Sequence, residues 1–201
     1  MIKTIIFDLG GVVLNRGFWI FRENLANEYK IPVERTIEIF IKKYYNLYFS
    51  GKISEKEFWE NSLRELNIDA DWKLLRNKLF KFYKPNKGML ELIDSLRKKG
   101  YRTVLLSDQS KEWWPILNKK YSIDFYFDIC VISYEIGVSK PNPEVYKIAL
   151  NKSKSQAKNS LFIDDLEYNL KPANDFGIKT ILFKDCNSLK KSLVKFGIKI
   201  N

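Results

Sequence analysis

Short apolar runs, each bounded by polar or turn-forming residues, recur along most of the chain. Five of them have the length and β-branched content of strands, at 4–7, 102–106, 128–132, 161–163 and 179–183. Helical spacing predicts helices at 88–100, 143–153 and 169–177, with Gly100 and Gly177 at expected C-caps and Pro172 acceptable in a first turn. Alternating strands and helices predict an α/β fold, a Rossmann-like, doubly wound parallel sheet.

Residues 16–84 interrupt this alternation. They show helical spacing throughout, many aromatic side chains and no convincing strand, with breaks near 31–32, 50–51 and 67–70. We therefore expect four inserted helices over 16–84, and a core domain made of residues 1–15 and 85–201. Aromatic residues at this spacing are more typical of the interior of a helical bundle than of a ligand cage.

Composition limits the classes of chemistry. The chain has no histidine, which removes Ser-His and Cys-His catalysis and most zinc sites. Its two cysteines, Cys130 and Cys186, lack metal-ligand spacing and favour a reduced, cytoplasmic protein. No apolar stretch approaches the ~20 residues of a membrane span. Asp8 interrupts the first apolar run, so we expect no signal peptide there.

The chain is basic, with 35 Lys and Arg against 24 Asp and Glu and a formal net charge of +11. The basic residues form groups of three or fewer and alternate with acidic ones. This pattern favours dispersed surface charge over a nucleic-acid patch. Attraction of a small anionic substrate fits the net charge equally well, and the sequence does not indicate an oligomeric state.

Polar side chains follow three of the predicted strands at the point where each strand ends. The run 4–7 leads into Asp8, 102–106 into Ser107, and 161–163 into Asp164 and Asp165. Any one of these residues also fits an ordinary turn or N-cap role. Because the carboxyl ends of parallel strands lie along one edge of a sheet, we expect the group to meet in one crevice.

Three carboxylates that meet in one crevice require positive charge, since they cannot all ionise without compensation. Lys140, in "GVSKPNP", supplies one charge, and the all-oxygen ligand set favours Mg²⁺ for the remainder. A magnesium ion, an ammonium and the Ser107 hydroxyl around Asp8 would suit a phosphoryl group, with Asp8 as the nucleophile. These residues therefore predict phosphatase chemistry.

Four motifs in order resemble those of the haloacid dehalogenase-like (HAD) hydrolase superfamily. They are "IIFDLGGVV" at 5–13, "VLLSD" at 104–108, "GVSKPNPEVY" at 137–146 and "LFIDDLEYNLKPANDFGI" at 161–178. In the fourth, the acidic pair, Asn169, Ala173 and Gly177 fall at family spacing. The insertion at 16–84 resembles the small helical cap, of C1 type, of the subfamily that places its cap after the first motif.

The resemblance implies a role for each matching residue. Asp8 would form an aspartyl-phosphate, Ser107 would hydrogen-bond the transferred group, and Lys140 would hold it in register. Asp165, with Asp164, would bind or support Mg²⁺, and the backbone carbonyl of Gly10 would be a further metal ligand. The implied substrate is a small phosphorylated metabolite.

Gly10 departs from the family pattern, in which a second Asp usually protonates the leaving oxygen. Losing a general acid typically costs ~10²–10⁴ in rate. Either the substrate has a good leaving group, such as an anomeric sugar, acyl or aryl phosphate, or a cap residue or bound water supplies the proton. Asn15, Arg16 and Trp19 are the nearest candidates for contacting substrate, and Asp108 replaces a common Asn beside Ser107.

Two other functions remain open from the sequence. A 2-haloacid dehalogenase would use the same nucleophile without a metal, although that branch usually lacks the intact pair Asp164–Asp165. A catalytically weak binding or scaffold protein would explain Gly10, although retained charged residues are costly to bury without a function or a metal.

Overall fold

A single five-stranded sheet forms the centre of the protein in the computed structural model, which describes residues 1–200. The strands are β1 (Thr4–Phe7), β2 (Arg102–Ser107), β3 (Ile129–Ile132), β4 (Ser160–Asp164) and β5 (Lys179–Leu182). All neighbouring pairs are parallel, in the order β3-β2-β1-β4-β5. Each predicted strand is present, with ends that differ by a residue or so, and the predicted α/β fold is confirmed.

Eleven α-helices accompany the sheet within residues 1–200. In chain order they are α1 (Gly17–Glu28), α2 (Val33–Thr36), α3 (Asn46–Phe49), α4 (Glu55–Glu65), α5 (Trp72–Phe82), α6 (Met89–Lys98), α7 (Trp113–Tyr121), α8 (Ser133–Ile136), α9 (Pro143–Lys152), α10 (Glu167–Asp175) and α11 (Cys186–Lys195). None of them is both long and apolar enough to cross a membrane. Helices α7, α8 and α11 are not among those that the sequence predicts.

The two faces of the sheet bury separate apolar clusters because side chains alternate along each strand. Ile5 and Phe7 of β1 belong to the larger cluster, which also takes apolar residues of α6, α7 and α11. Ile6 belongs to the smaller cluster, with residues of α9 and α10. β1 is therefore covered on both faces, and its carboxyl end lies at the centre of the sheet's carboxyl edge.

The inserted segment contains helices only, as expected, but the second of the four predicted helices is not a regular α-helix along its whole length. Between α2 and α3 the backbone is π-helical over Ile37–Tyr45. Such segments are rare and often occur at functional sites. A capping box at Ser54 and Glu57 starts α4, and the Asp71 side chain caps α5.

The aromatic residues of the insertion mainly form a packed interior. Phe58 and Trp59 are fully buried, and Trp113 of α7 extends into the same cluster, with ring centroids 6.0 and 6.2 Å from theirs. The Trp113 Nε1–H donates to Glu55 Oε1 at 2.8 Å, so α4 of the insertion is hydrogen-bonded to α7. A hydrogen bond of 2.7 Å between the hydroxyls of Tyr48 and Ser110 also joins the insertion to the rest of the chain.

One expectation about helix ends is wrong and one is confirmed. Helix α10 begins at Glu167, so Pro172 lies inside it and not in its first turn, which leaves the Tyr168 carbonyl without its usual helical donor. Gly100 and Gly177 follow the ends of α6 and α10 with φ of 84° and 90°. Glycine adopts this left-handed conformation without strain.

Candidate active site

The polar residues at the strand ends meet at one edge of the sheet. Asp8 directly follows β1, Ser107 closes β2 and Asp164 closes β4. The backbone N–H of Asp8 donates to the Ile163 carbonyl at 2.9 Å, which continues the pairing of β1 with β4. Lys140 reaches the same place from the loop before α9. All four side chains are buried.

Lys140 joins two of the carboxylates. Its Nζ lies 2.6 Å from Asp8 Oδ1 and 2.8 Å from Asp164 Oδ2. Asp164 also accepts hydrogen bonds from Asn169 Nδ2, at 3.1 Å to each oxygen, and from the backbone N–H of Leu166 at 2.9 Å. Both oxygens of Asp164 are therefore engaged, and its carboxylate serves to orient Lys140.

Asp165 has a free oxygen where Asp164 has none. Its Oδ2 pairs with the guanidinium of Arg16, but its buried Oδ1 has no hydrogen-bond partner within residues 1–200. One oxygen from each of Asp8, Asp164 and Asp165 lies within 4.8 Å of the others. Carboxylate oxygens at this spacing fit a hard divalent cation such as Mg²⁺. Asp165 is the better candidate for a direct ligand, and Asp164 for support.

The pKa shifts within the carboxylate cluster also favour a bound cation. Burial raises the pKa of Asp8 well above its usual range, Lys140 opposes the rise, and Asp164 and Asp165 add to it. Burial would lower the pKa of Lys140, but the carboxylates of Asp164 and Asp8 hold it well above its usual range. Arg16 and Lys140 do not balance three carboxylates, so an added cation would stabilise their ionised forms.

The two glycines after Asp8 have opposite environments. A Cβ on Gly11 would lie 2.0 Å from Asp165 Oδ2, and its φ is +103°, so a side chain there collides and is strained. A Cβ on Gly10 would meet nothing within 4 Å. Gly11 thus makes room for the Asp165 carboxylate, whereas the space beside Gly10 is open. The carbonyl of Gly10 as a metal ligand remains a prediction.

A cavity of about 160 Å³ opens onto the cluster. Asp8, Gly10, Ser107, Lys140 and Asn169 lie on its wall. The Ser107 hydroxyl is buried without a hydrogen-bond partner in the described part of the chain. A buried polar group normally has a partner, so this hydroxyl is suited to bind a ligand in the cavity.

The structure places the other predicted contact residues in different surroundings. Asp108, Arg16 and Trp19 line the cavity, and Asp108 Oδ1 accepts from the Lys140 backbone N–H at 3.1 Å. Asn15 does not line it, contrary to the expectation for this residue. Its Nδ2 donates to the Phe82 carbonyl at 2.9 Å and its Oδ1 accepts from the Lys84 N–H at 3.1 Å, so its amide fixes the chain between α5 and the sheet.

Several residues of the cavity wall are not among those predicted from the sequence. The π-helical segment contributes Ile41 and Tyr45, and Phe49, Tyr83 and Tyr168 are also on the wall. The spacing of the insertion does not reveal which aromatic residues face inward and which face the cavity. Asn169 could be recognised in the sequence because it lies at family spacing in the fourth motif, but its hydrogen bonds to Asp164 are visible only in the structure.

Comparison with known proteins agrees with this arrangement. The family model for haloacid dehalogenase-like hydrolases matches residues 2–177. Glyceraldehyde 3-phosphate phosphatase of Pyrococcus abyssi is 32% identical over 206 residues, which cover 92% of this chain and 82% of the relative. Bifunctional epoxide hydrolase 2 of Rattus norvegicus is 33% identical over 114 residues. That match spans 55% of this chain but only 21% of the longer relative.

Solved structures agree with the fold. A HAD family enzyme of Bacteroides thetaiotaomicron, in complex with magnesium and inorganic phosphate, superposes with a TM-score of 0.74. It is 26% identical, and the match covers 92% of this chain and 96% of that one. Because the family model spans most of the sequence, the chain belongs to the haloacid dehalogenase-like hydrolase family.

Proposed function

We propose that the protein is a Mg²⁺-dependent phosphatase that hydrolyses a small phosphorylated metabolite through a phosphoryl group carried on Asp8. One observation carries the proposal: Asp8, Lys140 and the unpartnered Ser107 hydroxyl line a single cavity, and Asp8, Asp164 and Asp165 each place one carboxylate oxygen within 4.8 Å of the others. The similarity to a glyceraldehyde 3-phosphate phosphatase and to an enzyme solved with magnesium and phosphate supports it.

The residues divide the work in two steps. In the first, an Asp8 oxygen attacks phosphorus, and the bond to the leaving oxygen breaks with its electron pair. In the second, water attacks phosphorus, which releases phosphate, frees the Asp8 carboxylate and yields a proton. Lys140 neutralises charge on Asp8 and on the transferred group, and Ser107 donates a hydrogen bond to a phosphoryl oxygen.

A bound Mg²⁺ would be held by Asp8, Asp165 and the Gly10 carbonyl, and its positive charge would stabilise the phosphoryl oxygens. Asp164 would support the site through Lys140 and Asn169, which it already binds. The fit depends on the oxygen-only donor set and on the unpartnered Oδ1 of Asp165.

We also propose that residues 16–84 act as a cap over a core made of 1–15 and 85–201. Phe18, Trp19, Ile41, Tyr45 and Phe49 of this segment line the cavity, so the cap would exclude water and set specificity. A reduced cytoplasmic location fits the two free cysteines, Cys130 and Cys186. The partner is a small phosphorylated molecule.

A phosphate-release assay tests this function. The wild type, with and without Mg²⁺, is compared with Asp8→Asn on 4-nitrophenyl phosphate and a panel of phosphorylated metabolites. We expect turnover that needs the metal and that Asp8→Asn abolishes. Asp175→Asn, an exposed carboxylate on α10, is the matched control and should retain full activity. Metal-independent turnover, or turnover by Asp8→Asn, would contradict the mechanism.

The same preparations separate the two alternatives. Halide release from a 2-haloacid in the presence of a chelator would identify a dehalogenase. Tight ligand binding without turnover of any phosphoester would identify a binding protein. Asp165 and its unpartnered oxygen favour the phosphatase, because attack on carbon needs no metal site.

A further inference from the structure

We propose that the substrate is an aryl phosphate, a monoester whose leaving group is a small phenol-like ring. This rests on the proposed phosphatase function and adds the chemical class of the leaving group. Two independent features of the cavity support it: the empty space beside Gly10, and the aromatic wall supplied by the inserted segment.

The first feature concerns proton supply. Gly10 has no side chain that can protonate a leaving oxygen, and beyond its chain neighbours no atom lies within 4 Å of where its Cβ would be. The space that an acidic side chain would fill is therefore open. Without a proton donor there, the leaving oxygen has to depart as an anion. A phenolate, with a conjugate acid of pKa ≈ 10 like the tyrosine side chain, does so far more readily than an alkoxide.

The second feature concerns recognition of the leaving group. Aromatic and aliphatic side chains dominate the cavity wall contributed by residues 17–83, namely Phe18, Trp19, Ile41, Tyr45, Phe49 and Tyr83. Two basic residues line the cavity, Arg16 and Lys140, and both are paired with carboxylates of the cluster. A negatively charged leaving group would lose its water here without a free basic partner. A flat ring packs well against aromatic faces and edges.

The size of the cavity limits the leaving group to a small one. At about 160 Å³ it is below the ~300–1,000 Å³ typical of sites for drug-sized ligands. A phosphoryl group and one ring are the appropriate scale. Larger ring systems would need the insertion to move away from the sheet, and the hydrogen bonds that Trp113 donates to Glu55 and Ser110 donates to Tyr48 oppose that.

Asp108 is the competing source of a proton. It lines the cavity, and burial raises its pKa from 3.8 to about 6, so part of the population carries a proton near neutral pH. However, its Oδ1 already accepts from the Lys140 backbone N–H. The experiment below therefore includes Asp108→Asn, which keeps the shape of the side chain and removes the acid.

The experiment compares phenyl phosphate with benzyl phosphate in the wild type, Gly10→Asp and Asp108→Asn, at saturating Mg²⁺. Both esters carry the same ring, but benzyl alcohol is a much more basic leaving group. We expect wild-type kcat/KM to be ~10²–10⁴ higher for phenyl phosphate, the usual contribution of a general acid. Gly10→Asp should raise benzyl phosphate hydrolysis and narrow the ratio. Asp108→Asn should leave the ratio unchanged.

A binding measurement tests recognition of the ring separately from chemistry. Phenylphosphonate, which cannot be hydrolysed, should inhibit more strongly than methylphosphonate in the wild type. Trp19→Ala, a half-buried residue on the wall, should weaken phenylphosphonate inhibition about tenfold and leave methylphosphonate unaffected. Equal inhibition by the two phosphonates would overturn the assignment of an aromatic leaving group.

The outcomes separate this inference from the proposed function. Asp8-dependent hydrolysis with equal rates for phenyl and benzyl phosphates would overturn the aryl assignment and leave the phosphatase function standing. A selective loss of benzyl phosphate hydrolysis in Asp108→Asn would also overturn it, since Asp108 would then supply the proton. If no ester releases phosphate in a Mg²⁺-dependent reaction, both the aryl assignment and the proposed phosphatase function are overturned.

Discussion

Lys140 Nζ lies 2.6 Å from Asp8 Oδ1, and each residue exposes 6% or less of its surface. Removing the ammonium leaves Asp8 and Asp164 buried without a counter-charge. We expect Lys140→Met to lower the free energy of unfolding by about 3–5 kcal/mol without metal. Mg²⁺ should recover more stability in this variant than in the wild type, because it supplies the missing charge. Denaturant unfolding with and without Mg²⁺ measures both effects.

Lys147→Met is the control for that variant. Lys147 is on α9 in an exposed pair with Glu144, so its loss should change stability by no more than about 0.5 kcal/mol. An equal response of both variants to Mg²⁺ would show that Lys140 does not neutralise the carboxylate cluster.

Gly10 and Gly11 provide a matched pair of substitutions one residue apart. An alanine at 11 would collide with Asp165 Oδ2 and adopt a strained φ, whereas an alanine at 10 meets open space. We expect Gly11→Ala to displace the Asp165 carboxylate and weaken Mg²⁺ binding by tenfold or more. Gly10→Ala should stay within twofold of the wild type. Titration calorimetry with Mg²⁺ measures this, and similar affinities for both variants would contradict the role given to Asp165.

Buried carboxyl groups predict an unusual pH dependence of stability. Burial raises the pKa of Asp108 from 3.8 to about 6, so its proton is bound more tightly in the folded than in the unfolded chain. Its contribution to stability is therefore full below the unfolded pKa and is lost as the pH rises through about 6. The melting temperature of the metal-free wild type, minus that of Asp108→Asn, should fall between pH 4 and 6. A flat or rising difference would contradict the burial of an acidic group there.

Trp113 links the inserted helices to the sheet. It is fully buried, and its Nε1–H donates to Glu55 at 2.8 Å. Trp113→Phe keeps an aromatic ring but removes this donor, and we expect a loss of about 1–3 kcal/mol in the free energy of unfolding. Trp114→Phe, the neighbouring residue on α7, keeps the hydrogen bond and should cost less. If unfolding followed by fluorescence and circular dichroism shows two separate transitions, the insertion and the sheet are not coupled through Trp113.

The strands and the polar residues at their ends were predictable from sequence for a geometric reason. A parallel sheet brings the carboxyl ends of its strands to one edge, so Asp8, Ser107 and Asp164 had to lie close together once the strands were correct. Only the order of apolar runs along the chain is needed to predict this. Lys140 could be predicted from its motif and from the need for charge compensation.

Other parts of the site depend on packing that the sequence does not encode locally. Adjacent glycines look alike in sequence, yet Gly11 is constrained by Asp165 and Gly10 by nothing nearby. The π-helical segment 37–45 has ordinary helical spacing, so its contribution of Tyr45 to the cavity wall was not predictable. Asn15 was expected at the cavity because it follows the first motif, but its side-chain amide donates a hydrogen bond to the Phe82 carbonyl instead.

Chemical trapping of Asp8 is the most direct test of the central claim. The wild type is mixed with Mg²⁺ and 4-nitrophenyl phosphate, quenched in acid and treated with borohydride, which reduces an acyl phosphate to an alcohol. Peptide mass spectrometry should then find homoserine at position 8, dependent on substrate and metal. Continued turnover with an unmodified Asp8, or reduction at a different carboxylate, would contradict the account.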